Sequence, residues 1–166
     1  AKEAAKGTDT LVALDLGPIG QLLEPTGSLT FEEAYDIFKE EVVAAEGADV
    51  IVIETMTDLL ETKAAVLAAK ENSNLPVMTT MTFEENKRTF TGCSVSAMCL
   101  TLQGLGVDAL GVNCSLGPKD LLPIVEEISK WTYLPIVVKA NAGLPDPVTN
   151  TYNVSADEFA TICKEM

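Results

Sequence analysis

Histidine is absent from this sequence of 166 residues. That removes the usual general base near neutral pH and the commonest metal ligand among side chains. Basic residues are scarce: Lys plus Arg is 11 against 25 for Asp plus Glu, a net charge of −14. Nucleic acid and anionic membrane surfaces both need basic patches, so neither is expected as a partner. No apolar run approaches the roughly 20 residues of a membrane span. The four cysteines, Cys93, Cys99, Cys114 and Cys163, contain no Cys-x-x-Cys pair. Nothing suggests secretion, since Ala1 to Lys6 reads as amphipathic helix rather than a signal peptide. Reduced thiols in a cytoplasmic protein are expected. The first strand-helix turn, Gly17-Pro18-Ile19-Gly20, lacks the Gly-x-Gly-x-x-Gly spacing of a dinucleotide site.

What is present is strict alternation. Apolar runs at Leu11–Leu16, Val50–Ile53, Val77–Thr82, Val107–Val112 and Ile136–Ala140 read as strands buried in a parallel sheet. Helical stretches separate them. Thr30, Asp58 and Ser155 stand where N-caps belong, and further helices are expected over Ser94–Gly104 and Leu121–Trp131. Pro123 falls in the first turn of the latter. The final helix is expected to run to Met166. No linker divides the units, so residues 1–166 are read as a single domain.

Five strand-helix units predict a parallel sheet with right-handed crossovers. An open doubly wound sheet and part of a (β/α)8 barrel both fit. The polar residues stand at the ends of several strands, which suits a barrel mouth better than one switch point.

The central stretch is Gly111-Val112-Asn113-Cys114-Ser115-Leu116-Gly117-Pro118. It places a thiol where a parallel strand ends, the end at which ligands bind in such folds. A thiolate is a soft metal ligand, while a free cysteine is also often just a small buried hydrophobe. Glu54, ahead of Thr55, ends an otherwise apolar strand and needs a partner, either a ligand or Lys139. Asp15 faces the lumen or pairs locally. Asn113 should point away from Cys114 if the strand stays regular, and reads equally as a hydrogen-bonding residue that fixes the loop. Asn141 is a strand-end ligand candidate or a turn-former ahead of Ala142-Gly143. Cys99 and Cys163 read as core thiols within helices, and Cys93 begins a helix near the mouth. The charges of Glu84 to Arg88 read as a solvated loop.

Gly111 to Cys114, Glu54-Thr55 and Lys139-Ala140-Asn141-Ala142-Gly143-Leu144-Pro145 together resemble the homocysteine S-methyltransferase domain. Within that family the chain is most similar to the N-terminal homocysteine-binding module of cobalamin-dependent methionine synthases. The resemblance runs from about Thr10 to the end of the chain. It implies a fragment, about strands 3 to 7 of a (β/α)8 barrel that typically has about 250 residues. It implies zinc-assisted transfer of a methyl group to the thiol of homocysteine, giving methionine. The donor would be methylcobalamin charged from methyltetrahydrofolate, with folate and cobalamin modules of the same enzyme as partners. Cys114 and Asn141 are the implied metal ligands, and Glu54, Asn113 and Asp15 the substrate-binding residues. The family's other zinc ligands, a Cys-Cys pair after the eighth strand, have no counterpart here. The fragment alone is therefore expected to be inactive and to self-associate. A non-catalytic half-barrel scaffold that docks a cobalamin or folate module is the competing expectation.

Overall fold

A computed structural model describes residues 1–143, 145–152 and 154–166. Leu144, part of the stretch quoted above, lies outside the described residues. The chain opens with α1 (Lys2–Ala5) and β1 (Ala13–Leu16). It continues through α2 (Phe31–Ala44), β2 (Val50–Met56), α3 (Leu59–Asn72) and β3 (Val77–Met81). Then come α4 (Val95–Gly104), β4 (Ala109–Asn113), α5 (Pro118–Trp131), β5 (Ile136–Lys139) and α6 (Ala156–Cys163).

All neighbouring strands are parallel and their order is β1-β2-β3-β4-β5. A doubly wound sheet reverses its order at a switch point. This one never reverses, and its helices α2 to α6 pack on one another in chain order. That is the arrangement of a barrel arc. The register runs from Leu16 through Ile53, Thr79 and Leu110 to Ile136. Leu16 ends its strand and Ile136 begins its own, so the strands are staggered as barrel closure demands.

The two faces of the sheet differ. Leu16, Ile53, Leu110 and Val112 are wholly buried and meet Phe38, Ala65, Met98, Leu121 and Ile124 in one core. The opposite face carries Asp15, Val52, Glu54, Met78, Thr80, Gly111, Asn113, Val137 and Lys139. Asp15 and Lys139 are exposed there, and Val52, Met78 and Val137 are half-buried. Gly111 has to be glycine, because a Cβ there would run into the backbone of Val137.

Start signals in the sequence hold. Thr30 closes a capping box with Glu33, and the side chains of Asp58, Ser94 and Ser155 accept first-turn N–H groups. Several boundaries differ from expectation: β1 begins at Ala13 rather than Leu11, β4 runs Ala109–Asn113 rather than Val107–Val112, and β3 and β5 each end one residue early. Strand β2 runs on to Met56, so Glu54 and Thr55 lie inside it, beside a register irregularity between Ile53 and Met56. Helix α5 begins at Pro118, so Pro123 sits in its second turn rather than its first. Helix α6 ends at Cys163 instead of running on to Met166, and the N–H of Lys164 donates to Ala160 and Ile162. Among the described residues, no helix is long and apolar enough to cross a membrane.

Candidate functional site

The C-terminal ends of β2, β4 and β5 bring the expected residues together. After Asn113 the chain leaves the extended region: Cys114 has φ of 59° and Ser115 of 60°. Thr55, near the end of β2 two strands away, has φ of 62°. Left-handed backbone is uncommon for non-glycine residues and an outlier for a β-branched one. Such outliers cluster at functional sites because the surrounding structure must hold them.

This turn overturns the expectation that Asn113 and Cys114 point apart. Asn113 Nδ2 donates to Cys114 Sγ at 3.2 Å. The alternation of a regular strand is broken by the left-handed residue itself. The Thr55 hydroxyl lies 3.9 Å from the same sulfur. The N–H of Cys114 donates to the Lys139 carbonyl at 3.0 Å, and that of Asn141 to the Leu116 carbonyl at 3.1 Å. Cys114, just after β4, and the half-buried Asn141, just after β5, thus lie on neighbouring strand-end loops joined by backbone hydrogen bonds.

Glu54 is ion-paired with Lys139. The pair reaches from β2 to β5 across the open face. The two side chains retain 27% and 47% of their exposure respectively. A half-exposed pair of this kind contributes little to stability, of the order of 0–1 kcal/mol. The carboxylate therefore remains able to exchange its cation. Asp15 stands on the same open face at the far strand, and no ion pair involves it among the described residues.

The other thiols lie elsewhere. Cys99 is buried in α4, and burial pushes its pKa up to about 11. Cys93 is also raised by burial. It lines a groove of about 610 Å³ between residues 22–26 and the starts of α3 and α4, away from Cys114. Cys163 is half-buried at the last residue of α6. The charges of Glu84 to Arg88 are exposed, and Lys87 pairs with Glu127.

Threonines given no role of their own in the sequence complete the site. Thr80 Oγ1 donates to Asn113 Oδ1 at 2.7 Å, the Thr55 N–H donates to the same oxygen at 2.9 Å, and Thr82 Oγ1 donates to the Asn113 carbonyl at 3.1 Å. A threonine in a strand reads as a β-former, so only a buried polar residue on the next strand could have signalled this role.

As a metal centre the site is partial. Cys114 is a soft donor already accepting an N–H bond, which fits one corner of a zinc site. Among the described residues no group of three or more Cys, Asp or Glu is arranged to hold a metal ion. These residues do not close a coordination shell by themselves.

Residues 1–166 match the family model for homocysteine S-methyltransferase. Methionine synthase of Mycobacterium leprae is 32% identical over 137 residues, which are 78% of this chain and 11% of that one. Methionine synthase of Mycobacterium tuberculosis shows the same identity and coverage. The chain thus spans about a tenth of the length of these relatives. Among solved structures, the apo form of the homocysteine methyltransferase MmuM from Escherichia coli aligns with a TM-score of 0.68 at 24% identity. Its metallated form aligns at 0.61 and 22%. Each alignment covers 82% of this chain and 50% of that one. At such identities the likeness is one of fold: the five units correspond to half of a (β/α)8 barrel chain.

Proposed function

The chain belongs to the homocysteine S-methyltransferase family, and from that premise we propose that it is the homocysteine-binding part of an enzyme that methylates the homocysteine thiol to give methionine. The observation that carries this reading is one convergence. A thiol, Cys114, and a carboxylate with an exchangeable cation, Glu54, meet at one strand-end mouth, linked through Thr55 and Lys139. Homocysteine carries both matching groups, a thiol and an α-ammonium.

In this reading Glu54 takes the substrate ammonium in place of Lys139 Nζ, a charge-assisted contact. Asp15 completes the substrate side of the mouth; Asn113, expected there from the resemblance, is buried with its amide engaged by Thr55, Thr80 and Cys114. Cys114 and Asn141 supply this chain's share of a zinc site, whose remaining ligands lie outside the described residues. Zinc, when bound, lowers a thiol's pKa and so supplies thiolate at neutral pH. Since these residues alone do not enclose a metal, their own part is to bind the substrate and to orient one corner of the site.

Methylcobalamin charged from methyltetrahydrofolate is proposed as donor, carried by other modules of the same enzyme; the chain spans about a tenth of its methionine synthase relatives, which leaves room for such modules. No residue of this chain is assigned to cobalamin. We further propose that residues 1–166 form one domain of a cytoplasmic enzyme, consistent with four free thiols. The stretch alone is proposed to be inactive.

Steady-state kinetics of the full-length protein with homocysteine test the assignment. Glu54→Gln is expected to raise the homocysteine KM by about 10- to 100-fold, for a contact worth roughly 1.5–3 kcal/mol, with zinc content unchanged. Unaltered kinetics would confine Glu54 to its ion pair with Lys139.

A further inference from the structure

Asn113 is 2% exposed, and every hydrogen-bonding atom of its side-chain amide is engaged within the protein. The orientation of that amide follows from chemistry. The Thr55 N–H, which can only donate, stands 2.9 Å from Oδ1. Thr80 Oγ1 reaches the same oxygen at 2.7 Å. The carbonyl end is thereby fixed, and the NH2 end is turned toward Thr55 Oγ1 at 2.8 Å and Cys114 Sγ at 3.2 Å. Little capacity is left in Asn113 for a substrate.

We propose that Asn113, locked by Thr80 and Thr55, is a positioning residue that aims the Cys114 sulfur into the mouth and sets its strength as a metal donor through an N–H···S hydrogen bond. The inference rests on Cys114 being a zinc ligand, as in the function proposed above. Its physical basis is that groups behind a metal ligand orient it and tune its charge. Three strands contribute: Thr55 from β2, Thr80 from β3, Asn113 from β4. The left-handed turn at Cys114 makes the contact possible, since a regular strand would send the two side chains to opposite faces. An amide that donates to sulfur withdraws charge from it. The sulfur is thereby held in one direction, and to a metal it would be a less electron-rich donor.

The full-length protein loaded with cobalt(II) in place of zinc supplies the test. Cobalt–thiolate sites have a sulfur-to-metal charge-transfer band whose energy reports the charge on sulfur, which a merely structural tie between strands would not move. Asn113→Ala is expected to shift that band to longer wavelength and to weaken cobalt binding by about 10- to 100-fold. Thr80→Val removes one hydrogen bond while preserving shape, so it decides the matter if Asn113→Ala fails to fold. It should shift the band the same way by a smaller amount. Thr80→Ser, which keeps the hydroxyl, should restore the parent spectrum. A wild-type band left in place by Asn113→Ala or Thr80→Val overturns the positioning role alone. If the parent protein shows no thiolate band, Cys114 is not a ligand and the underlying functional reading falls with it.

Discussion

Thr79 is wholly buried in the row that crosses the sheet, and its Oγ1 has no hydrogen-bond partner among the described residues. A buried orphan hydroxyl costs about 1–3 kcal/mol. Thr79→Val keeps the branched shape and removes that cost, so it is expected to stabilise the protein by about 1 kcal/mol. The change should appear as a higher urea midpoint at unchanged slope. A lower midpoint would mean that the hydroxyl has a partner. Residue identities at the mouth were legible in the sequence: Glu54, Cys114 and Asn141 follow from polar groups placed at the ends of apolar runs. Thr55 and Thr80 were not legible. Both fit a strand by propensity, and nothing local announces that a β-branched residue adopts φ of 62°. The same blindness produced the wrong direction for Asn113, because strand alternation assumes regular backbone up to Cys114.

Element boundaries were legible where side chains set them. Thr30, Asp58, Ser94 and Ser155 all cap helices by direct hydrogen bonds. They failed where the cause is tertiary. Strand β2 continues past its apolar run because the Thr82 N–H bonds the Met56 carbonyl and Thr55 bonds Asn113. Glu61, in the first turn of α3, belongs to this scale as well. It is 3% exposed and accepts the Ile19 N–H at 2.7 Å, tying the turn after β1 to the helix. Burial raises its pKa above the ordinary 4.5, outweighing that hydrogen bond. A raised acid holds its proton longer in the folded state than in the unfolded one. Its contribution to stability is therefore complete below about the ordinary value and is lost as pH rises through the raised folded pKa. Glu61→Gln keeps an acceptor for Ile19 and carries no charge. Urea titrations from about pH 4 upward, starting in the ordinary glutamate range, should show this loss in the parent and not in the variant. Parallel curves would contradict a buried ionisable Glu61.

At the scale of the molecule, the parallel alternation was legible and the choice of barrel arc over doubly wound sheet was inferred from scattered strand-end residues. Strand order decides it, because β1 to β5 pair consecutively without reversal. The open face still presents the partly exposed apolar residues Val50, Val52, Met78 and Val137. Strands β1 and β5 each have one side without a strand partner among the described residues. Such edges and faces invite pairing. The net charge of −14 opposes it at low salt. Residues 1–166 alone are therefore expected to associate in sedimentation equilibrium at physiological ionic strength, more strongly as salt rises. A monomer at high protein concentration, in salt, would contradict the open-arc description.

Cys114 is proposed as this chain's contribution to a zinc centre. Zinc analysis of the full-length protein, after removal of loosely bound metal, tests it directly. About one equivalent is expected in the parent, a clear loss in Cys114→Ser, and substoichiometric zinc in residues 1–166 alone, since catalytic zinc needs about three protein ligands. A Cys114→Ser protein that is folded and still retains its full zinc equivalent would contradict it.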